Sequence, residues 1–427
     1  MIIVGGAYSE EVAYPERLNP LGGSGVHAAR ILRDCAPTLI TAVESSAAGQ
    51  LAELARNWPS APLNLGRDSA VAFDYLTPVS TPTITGLQAR LAQAVDVDHD
   101  DVLAYGMIEH APSRKIRARR AVIDSQSPRG AGDPFISEVD AERTVLSANA
   151  REIAALAGGV SDVAVAAAAV RQRMDYEAVI VRCGARGFLV VDEHGPLWSN
   201  ASPTPLVWSL GTGDVFSAVL AKTWFDGATV GEAAAIASTC TAWWSSTKNP
   251  DIPADLLQGG SIFDHFGIPR PQLFANAFRP RIYLAGPFFS AAERWLVELA
   301  KGVLSGLGGV PWSPFHQVGT GGMEVAEKDI NGLRECDVVF ALLDGYDPGT
   351  VYELGWAHAL GIPVVAHSSQ VNDEANKMII GMGGELHSDL TSALYRAVWV
   401  GQGANHRPGR HAFPVDAELQ AGAAWQS

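Results

Sequence analysis

The 427-residue sequence is short of cysteine and of positive charge. Its four cysteines, Cys35, Cys183, Cys240 and Cys336, stand far apart with no C-x-x-C pair, which argues against disulfides and a zinc site and predicts reduced thiols in a cytoplasmic protein. Lysine and arginine number 31 against 46 aspartate and glutamate. The resulting formal charge of −15 argues against a nucleic-acid backbone or an anionic membrane as partner and leaves small molecules. No apolar run approaches the roughly 18 residues of a membrane-spanning helix. The opening MIIVGG lacks a basic n-region, so it reads as a first strand and not as a signal peptide. There is no internal repeat.

What is present describes an α/β protein. Hydrophobic residues make up 47% and charged residues 18%, enough for an ample core, and the length suggests two or three domains. From residue 1 to about 262, short β-rich runs (IIVGG, PTLITAV, DVLAYG, RAVID, RTVLSAN, AVIVRC, GFLVV) alternate with helical segments (HAARILRD, AAGQLAELARNW, AREIAAL, VAVAAAAVRQRM, FSAVLAKTWF). Such alternation predicts a mostly parallel sheet covered by helices on both faces. Ser69–Thr85 breaks the rhythm with β-branched and aromatic alternation and reads as a small strand lid. Thr247–Arg281 is rich in proline, glycine and polar residues, which places a linker at 263–280 between a first domain, 1–262, and a second, 281–400. Residues 401–427 read as an irregular tail in which His406, Arg407, Arg410 and His411 are solvated.

Within the second domain, Asp329 to His367 carries three acids, Asp329, Asp347 and Glu353, around the apolar run DVVFALL, a buried parallel strand. A D-P-G turn follows, then apolar residues at helical spacing. Thr350 sits where an N-cap belongs, which would put Glu353 in the first helical turn and hold it ionised by the helix dipole. An anionic glutamate at the end of a strand is suited to attack an electrophilic carbon. T-x-x-E is equally a capping box in which the glutamate only ties off its own helix, and both readings stand on spacing alone. In the first domain, LGTGDVFSAVLA places Gly211 and Gly213 before a helix starting near Asp214, where backbone N–H groups would hold a phosphate and Asp214 would take a proton from a hydroxyl. The alternative is a glycine turn capped by an aspartate. LNPLGGSGVHAARIL is a second glycine turn feeding a helix.

Residues 281 to about 400 resemble the nucleoside 2-deoxyribosyltransferase family through IYLAGPFF (Ile282–Phe289), SPFHQ (Ser313–Gln317), DINGL (Asp329–Leu333), DPGTVYELGWA (Asp347–Ala357) and NKM (Asn376–Met378), in the family's order. The resemblance implies a flavodoxin/Rossmann-like doubly wound domain that needs no cofactor. Glu353 would be a nucleophile on C1′ of the sugar, with Tyr283 orienting it and Asp329 and Asp347 handling base and sugar hydroxyls. Phe288, Phe289, Gln317 and Gly349 would line the substrate site, and Asn376 and Met378 would serve a neighbouring subunit in a homo-oligomer, a dimer or larger. Where the family often has N-L-M, this chain has Asn376-Lys377-Met378.

Residues 1–262 resemble the ribokinase, or PfkB, family of sugar and nucleoside kinases, which implies an α/β sandwich with a small β lid and ATP with Mg²⁺ as cofactors. GGSGVHAA resembles its first signature, with Gly22, Gly23 and His27 at the substrate and Glu10 nearby; SANAREI holds the N-x-x-E pair, Asn149 and Glu152, with Glu152 tied to the metal. VIVRCGARGFLVV resembles its nucleotide-side strands with Gly184 and Gly187, and GTGD its second signature, with Gly211, Thr212 and Gly213 at the phosphate and Asp214 as base. Where the family usually has Asp-Thr-x, this chain has Trp208, Ser209 and Leu210, and His27 stands where many members have Asn. The expected whole is a bifunctional enzyme of nucleoside metabolism; the alternative is a glycosidic enzyme whose N-terminal half only senses a nucleoside or nucleotide.

Overall fold

A computed structural model describes residues 1–126, 138–268, 270, 278–319, 321, 323–370 and 373–403. The chain divides into two compact units: Met1–Cys183 with Gly187–Ser199 and Ser209–Ile262, and Gly184–Arg186 with Asn200–Trp208 and Phe263–Ser427. The segment 404–427, with His406, Arg407, Arg410 and His411, lies outside the described residues. Among the described residues no helix is long and apolar enough to cross a membrane.

The first unit is built on a nine-stranded sheet in the order Gly195–Ser199, Phe188–Asp192, Ala178–Arg182, Val139–Asn149, Arg114–Asp124, Val95–Tyr105, Ile2–Val4, Thr38–Thr41, Leu63–Asn64. Pairing is parallel except at the Gly195–Ser199 edge, where two hairpin pairs are antiparallel. Three central strands run 11 residues each, about twice the apolar runs read from the sequence. Their first halves are charged, and the charges pair between neighbours: Arg117 Nε to Asp98 at 3.1 Å and Arg120 Nε to Asp101 at 2.7 Å. Cross-strand ion pairs thus lengthen strands that an apolar-run criterion truncates.

The helix Val230–Thr247, capped by a reciprocal Thr229–Glu232 box, was not anticipated because it is apolar on nearly every face and shows no amphipathic stripe. The lid is four-stranded, Leu21–Gly22, Tyr8–Val12, Ala72–Tyr75 and Thr83–Thr85. Only two of its strands come from Ser69–Thr85; Tyr8–Val12 joins it by parallel pairing with Ala72–Tyr75.

The second unit holds a wholly parallel five-stranded sheet in the order Val310–Trp312, Arg281–Ala285, Val338–Leu342, Val364–His367, Glu385–His387. Val338–Leu342 is buried at all five positions, as the run DVVFALL predicts for a strand covered on both faces. The chain steps from Arg281–Ala285 to one side and returns on the other. Strand order therefore reverses between Arg281–Ala285 and Val338–Leu342, the place where doubly wound sheets open a crevice. Tyr283, Leu333, Val339, Leu354 and Ala357 share one core cluster, so helices Met323–Arg334 and Pro348–Ala359 pack on the face that carries Tyr283.

Candidate active site

In the second unit the three acids converge on the reversal point. Tyr283 Oη donates to Glu353 Oε1 at 2.6 Å. Burial pushes the Glu353 carboxyl up to about 7; the Tyr283 hydrogen bond pulls it down, and the charges of Asp329 and Asp347 push it up further. Burial also raises Asp329, whose buried Oδ1 has no hydrogen-bond partner among the described residues. Tyr283 is fully buried and raised well above the ordinary phenol range, first by burial and then by the Glu353 charge, so it stays a proton donor.

The helix that carries Glu353 begins earlier than the sequence suggests. Asp347, not Thr350, is the N-cap: its Oδ2 accepts from Thr350 N at 2.8 Å and from Thr350 Oγ1 at 3.0 Å, with Pro348 in the first helical position. The helix spans Pro348–Ala359, which puts Glu353 in the second turn and leaves the T-x-x-E capping box unformed. The expectation that a helix N-terminus holds Glu353 ionised is thereby corrected. Its environment is a buried one shared with two other carboxylates, and its titration sits near neutrality.

Phe288 and Phe289 follow the first strand; their rings lie 5.1 Å apart, and Phe288 lies 5.2 Å from Phe315. Phe289 is 72% exposed, while Gln317 ends the short helix Pro314–Gln317 and is exposed. Gly349 is exposed beside Asp347, whose Oδ2 would lie 3.1 Å from an added Cβ. Asn376 is buried, its Oδ1 accepting from Tyr346 Oη at 2.9 Å in the same chain, whereas Met378 is exposed. The expected service of Asn376 to a neighbour is thus at odds with its position, because its side chain is engaged at home. Trp312 lies outside the motifs read in the sequence. Trp312 stacks on Tyr283 with centroids 5.2 Å apart and planes at 19°. It fits against Gly332, where a Cβ would overlap the indole. Its signal was its place directly before SPFHQ.

The first unit gathers a second cluster. Gly211, in the left-handed region at φ 73°, caps helix Thr212–Phe225 and sets Asp214 in its first turn; a Cβ on Gly211 would meet His27 Nδ1 at 2.8 Å. Thr212 Oγ1 donates to Ser209 O at 2.7 Å. Asp214 Oδ2 is 2.9 Å from His27 Nδ1, and its Oδ1 accepts from Gln126 Nε2. His27 Nε2 lies 3.3 Å from Glu10 Oε2, and Glu10 Oε1 accepts from Gly23 N at 3.0 Å. Gly22 lies directly over the Glu10 carboxylate, with no room for a Cβ. Burial alone would lower the His27 pKa, but Glu10 and Asp214 outweigh it and raise it to about 10, so the ring is an imidazolium between two carboxylates.

Asn149 and Glu152 close on each other as a capping box, Glu152 N to Asn149 Oδ1 at 2.9 Å and Asn149 N to Glu152 Oε2 at 2.8 Å. Arg182 Nη2 stands 3.9 Å from Glu152 Oε2. Among the described residues no group of three or more His, Cys, Asp or Glu is arranged to hold a metal ion. Glu152 Oε2, beside which Mg²⁺ is expected, is thus engaged by the helix cap and faces a guanidinium. Gly184 and Gly187, both at positive φ, lie in the tight turn between the strands Ala178–Arg182 and Phe188–Asp192, where Cys183 N donates to Gly187 O at 2.8 Å.

The molecule is therefore a two-part α/β protein: one unit with a large mixed sheet, a β lid and a glycine-capped helix carrying Asp214, the other doubly wound with a buried glutamate at its reversal point. Residues 113–255 match the model of the pfkB family carbohydrate kinases, and residues 282–390 match that of nucleoside 2-deoxyribosyltransferase. The chain carries a domain of each family, fused in one polypeptide.

Among solved structures it is similar to ribokinase from Thermotoga maritima, at 16% identity over 60% of this chain and 97% of that one, TM-score 0.47. It is also similar to phosphofructokinase-2 from Escherichia coli in complex with fructose-6-phosphate, at 15% identity over 62% and 99%, TM-score 0.45. No curated protein matches the chain.

Proposed function

We propose that the C-terminal domain cleaves or exchanges the N-glycosidic bond of a (deoxy)nucleoside or its 5′-monophosphate through a covalent intermediate on Glu353. The observation that carries this reading is the Tyr283–Glu353 hydrogen bond of 2.6 Å at a carboxyl poised near pH 7 beside Asp329. Glu353, ionised, forms a bond to C1′ as the C1′–N bond breaks. Asp329, held toward its protonated form by burial, gives its proton to the departing base. Asp347, tied to Thr350 through Oδ2, offers Oδ1 to the sugar hydroxyls. Phe288 and Phe289 stack near the base, with Gln317 and Gly349 at the rim. In the second step the acceptor bonds to C1′ as the C1′–O bond to Glu353 breaks, and its proton passes to Asp329: a second base gives transfer, water gives hydrolysis. Exposed Met378 suits a partner subunit in a homo-oligomer. Incubation with mixed nucleosides, monophosphates and free bases, read by mass spectrometry, tests this. Free base alone means hydrolysis, new nucleosides mean exchange, and no change with any substrate removes the proposal.

For the N-terminal domain the resemblance supports ATP-dependent phosphorylation of a nucleoside or pentose with Asp214 as base. One observation favours the other reading, a pocket that binds a nucleoside or nucleotide without phosphorylating it. Both Asp214 oxygens are engaged, one by the His27 imidazolium and one by Gln126, which neutralises the charge a base would use. ATP turnover with a pentose and nucleoside panel separates them: phosphoryl transfer lost in Asp214→Ala supports the kinase, and binding without turnover supports the pocket.

A further inference from the structure

We propose that Arg182 is the resident cation of the N-terminal acidic cluster, standing between Asp124 and Glu152, so that this domain's site is metal-independent. Asp124 is fully buried at the end of its strand, a position where an unpaired carboxylate is strongly unfavourable. Arg182 answers it with both ends of its fork: Nη1 donates to Asp124 Oδ2, and Nη2 to Asp124 Oδ1 at 3.2 Å. Nη1 also reaches Ser217 Oγ at 2.8 Å, Ser147 Oγ at 3.2 Å and Gly213 O at 3.1 Å. Ser217 Oγ closes the ring by donating to Asp124 Oδ2 at 2.7 Å. Nη2 faces Glu152 Oε2 at 3.9 Å.

The guanidinium therefore links the cluster's two other carboxylates and the first turn of the Asp214 helix, which is the work a bridging metal ion does. It cannot be deprotonated and presents donors only, so it occupies both Asp124 oxygens and repels an incoming cation electrostatically. The sequence signal is a lone charge inside an apolar strand, AVIVR, whose other four residues are buried. This inference deepens the binding reading of the N-terminal domain.

The test is Mn²⁺ titration of the full chain, followed by electron paramagnetic resonance, with Glu152→Gln as the reference because glutamine preserves the helix cap. Wild type is expected to show no saturable Mn²⁺ binding that Glu152→Gln removes. Arg182→Met is expected to gain one such site, at least roughly tenfold tighter than any wild-type binding, and Arg182→Lys to gain none. Stoichiometric Glu152-dependent Mn²⁺ binding by the wild type, or a folded Arg182→Met variant that gains nothing, overturns the proposal. If Arg182→Met does not fold, the wild-type titration decides alone. Phosphoryl transfer from ATP would instead remove the binding reading and leave the assignment of Arg182 to the Mn²⁺ result.

Discussion

Tyr283 Oη and Glu353 Oε1 lie 2.6 Å apart, one fixed in the middle of a buried strand and the other in the second turn of a helix packed on it. The hydrogen bond stabilises the carboxylate form of Glu353 against burial, which alone would carry it further from ionisation. Tyr283→Phe should therefore move the acid limb of kcat/KM to higher pH, above the value of about 7 set in the wild type. Its rate at neutral pH should fall about ten- to a hundredfold, the usual worth of a hydrogen bond to a charged group. A pH–rate profile of the variant checks both, and an unmoved limb would separate the tyrosine from the titration.

Glu353 also links stability to pH. Its folded pKa of about 7 exceeds the ordinary 4.5, so the folded state binds a proton more readily than the unfolded one. Stability is lost as pH rises from about 4.5 through 7, by at most about 3 kcal/mol. Glu353→Gln should accordingly stabilise the domain at pH 8 and change little at pH 5, while base release falls by at least about a thousandfold. Denaturation at the two pH values, beside an activity assay, reads out both effects.

Gly332 sits inside a helix, where alanine ordinarily stabilises by about 0.5–1 kcal/mol. Here a Cβ would overlap the Trp312 ring that stacks on Tyr283. Gly332→Ala should have the opposite sign, destabilising by about 1–3 kcal/mol as overpacking does, and should lower activity with it. A stabilised, fully active variant would show that Trp312 does not support the tyrosine.

His27 has the same sign in a higher pH window. Its folded pKa of about 10 lies above the ordinary 6.5, so its ion pairs with Glu10 and Asp214 contribute fully below 6.5 and are lost as pH rises through 10. The stability difference between wild type and His27→Gln should be largest near pH 6, on the order of a few kcal/mol, and should shrink steadily towards pH 10. Chemical denaturation of the N-terminal domain across that range would show the trend or its absence.

The class of each domain was legible because period and composition report local structure. Buried parallel strands read as apolar runs such as DVVFALL, and the motifs around Tyr283, Asp329, Asp347 and Glu353 lie in short segments whose order survives in the chain. The extent of elements was less legible: DVDHDD and RKIRARR look like loop sequence until Asp98 and Asp101 meet Arg117 and Arg120 on the next strand, and the helix Val230–Thr247 has no polar face to announce it.

The sequence by itself determined which residues are available: a glutamate after a D-P-G turn, a glycine before Asp214, an arginine in an apolar strand. Only the tertiary structure decided their charge states. Asp347 took the cap that spacing had given to Thr350, and the Glu353 carboxyl came to lie near neutrality. His27 became an imidazolium between Glu10 and Asp214, and Arg182 closed on Asp124, 58 residues away in the chain. Protonation depends on burial and on charges brought close by folding, and neither distance nor burial is a property of sequence order.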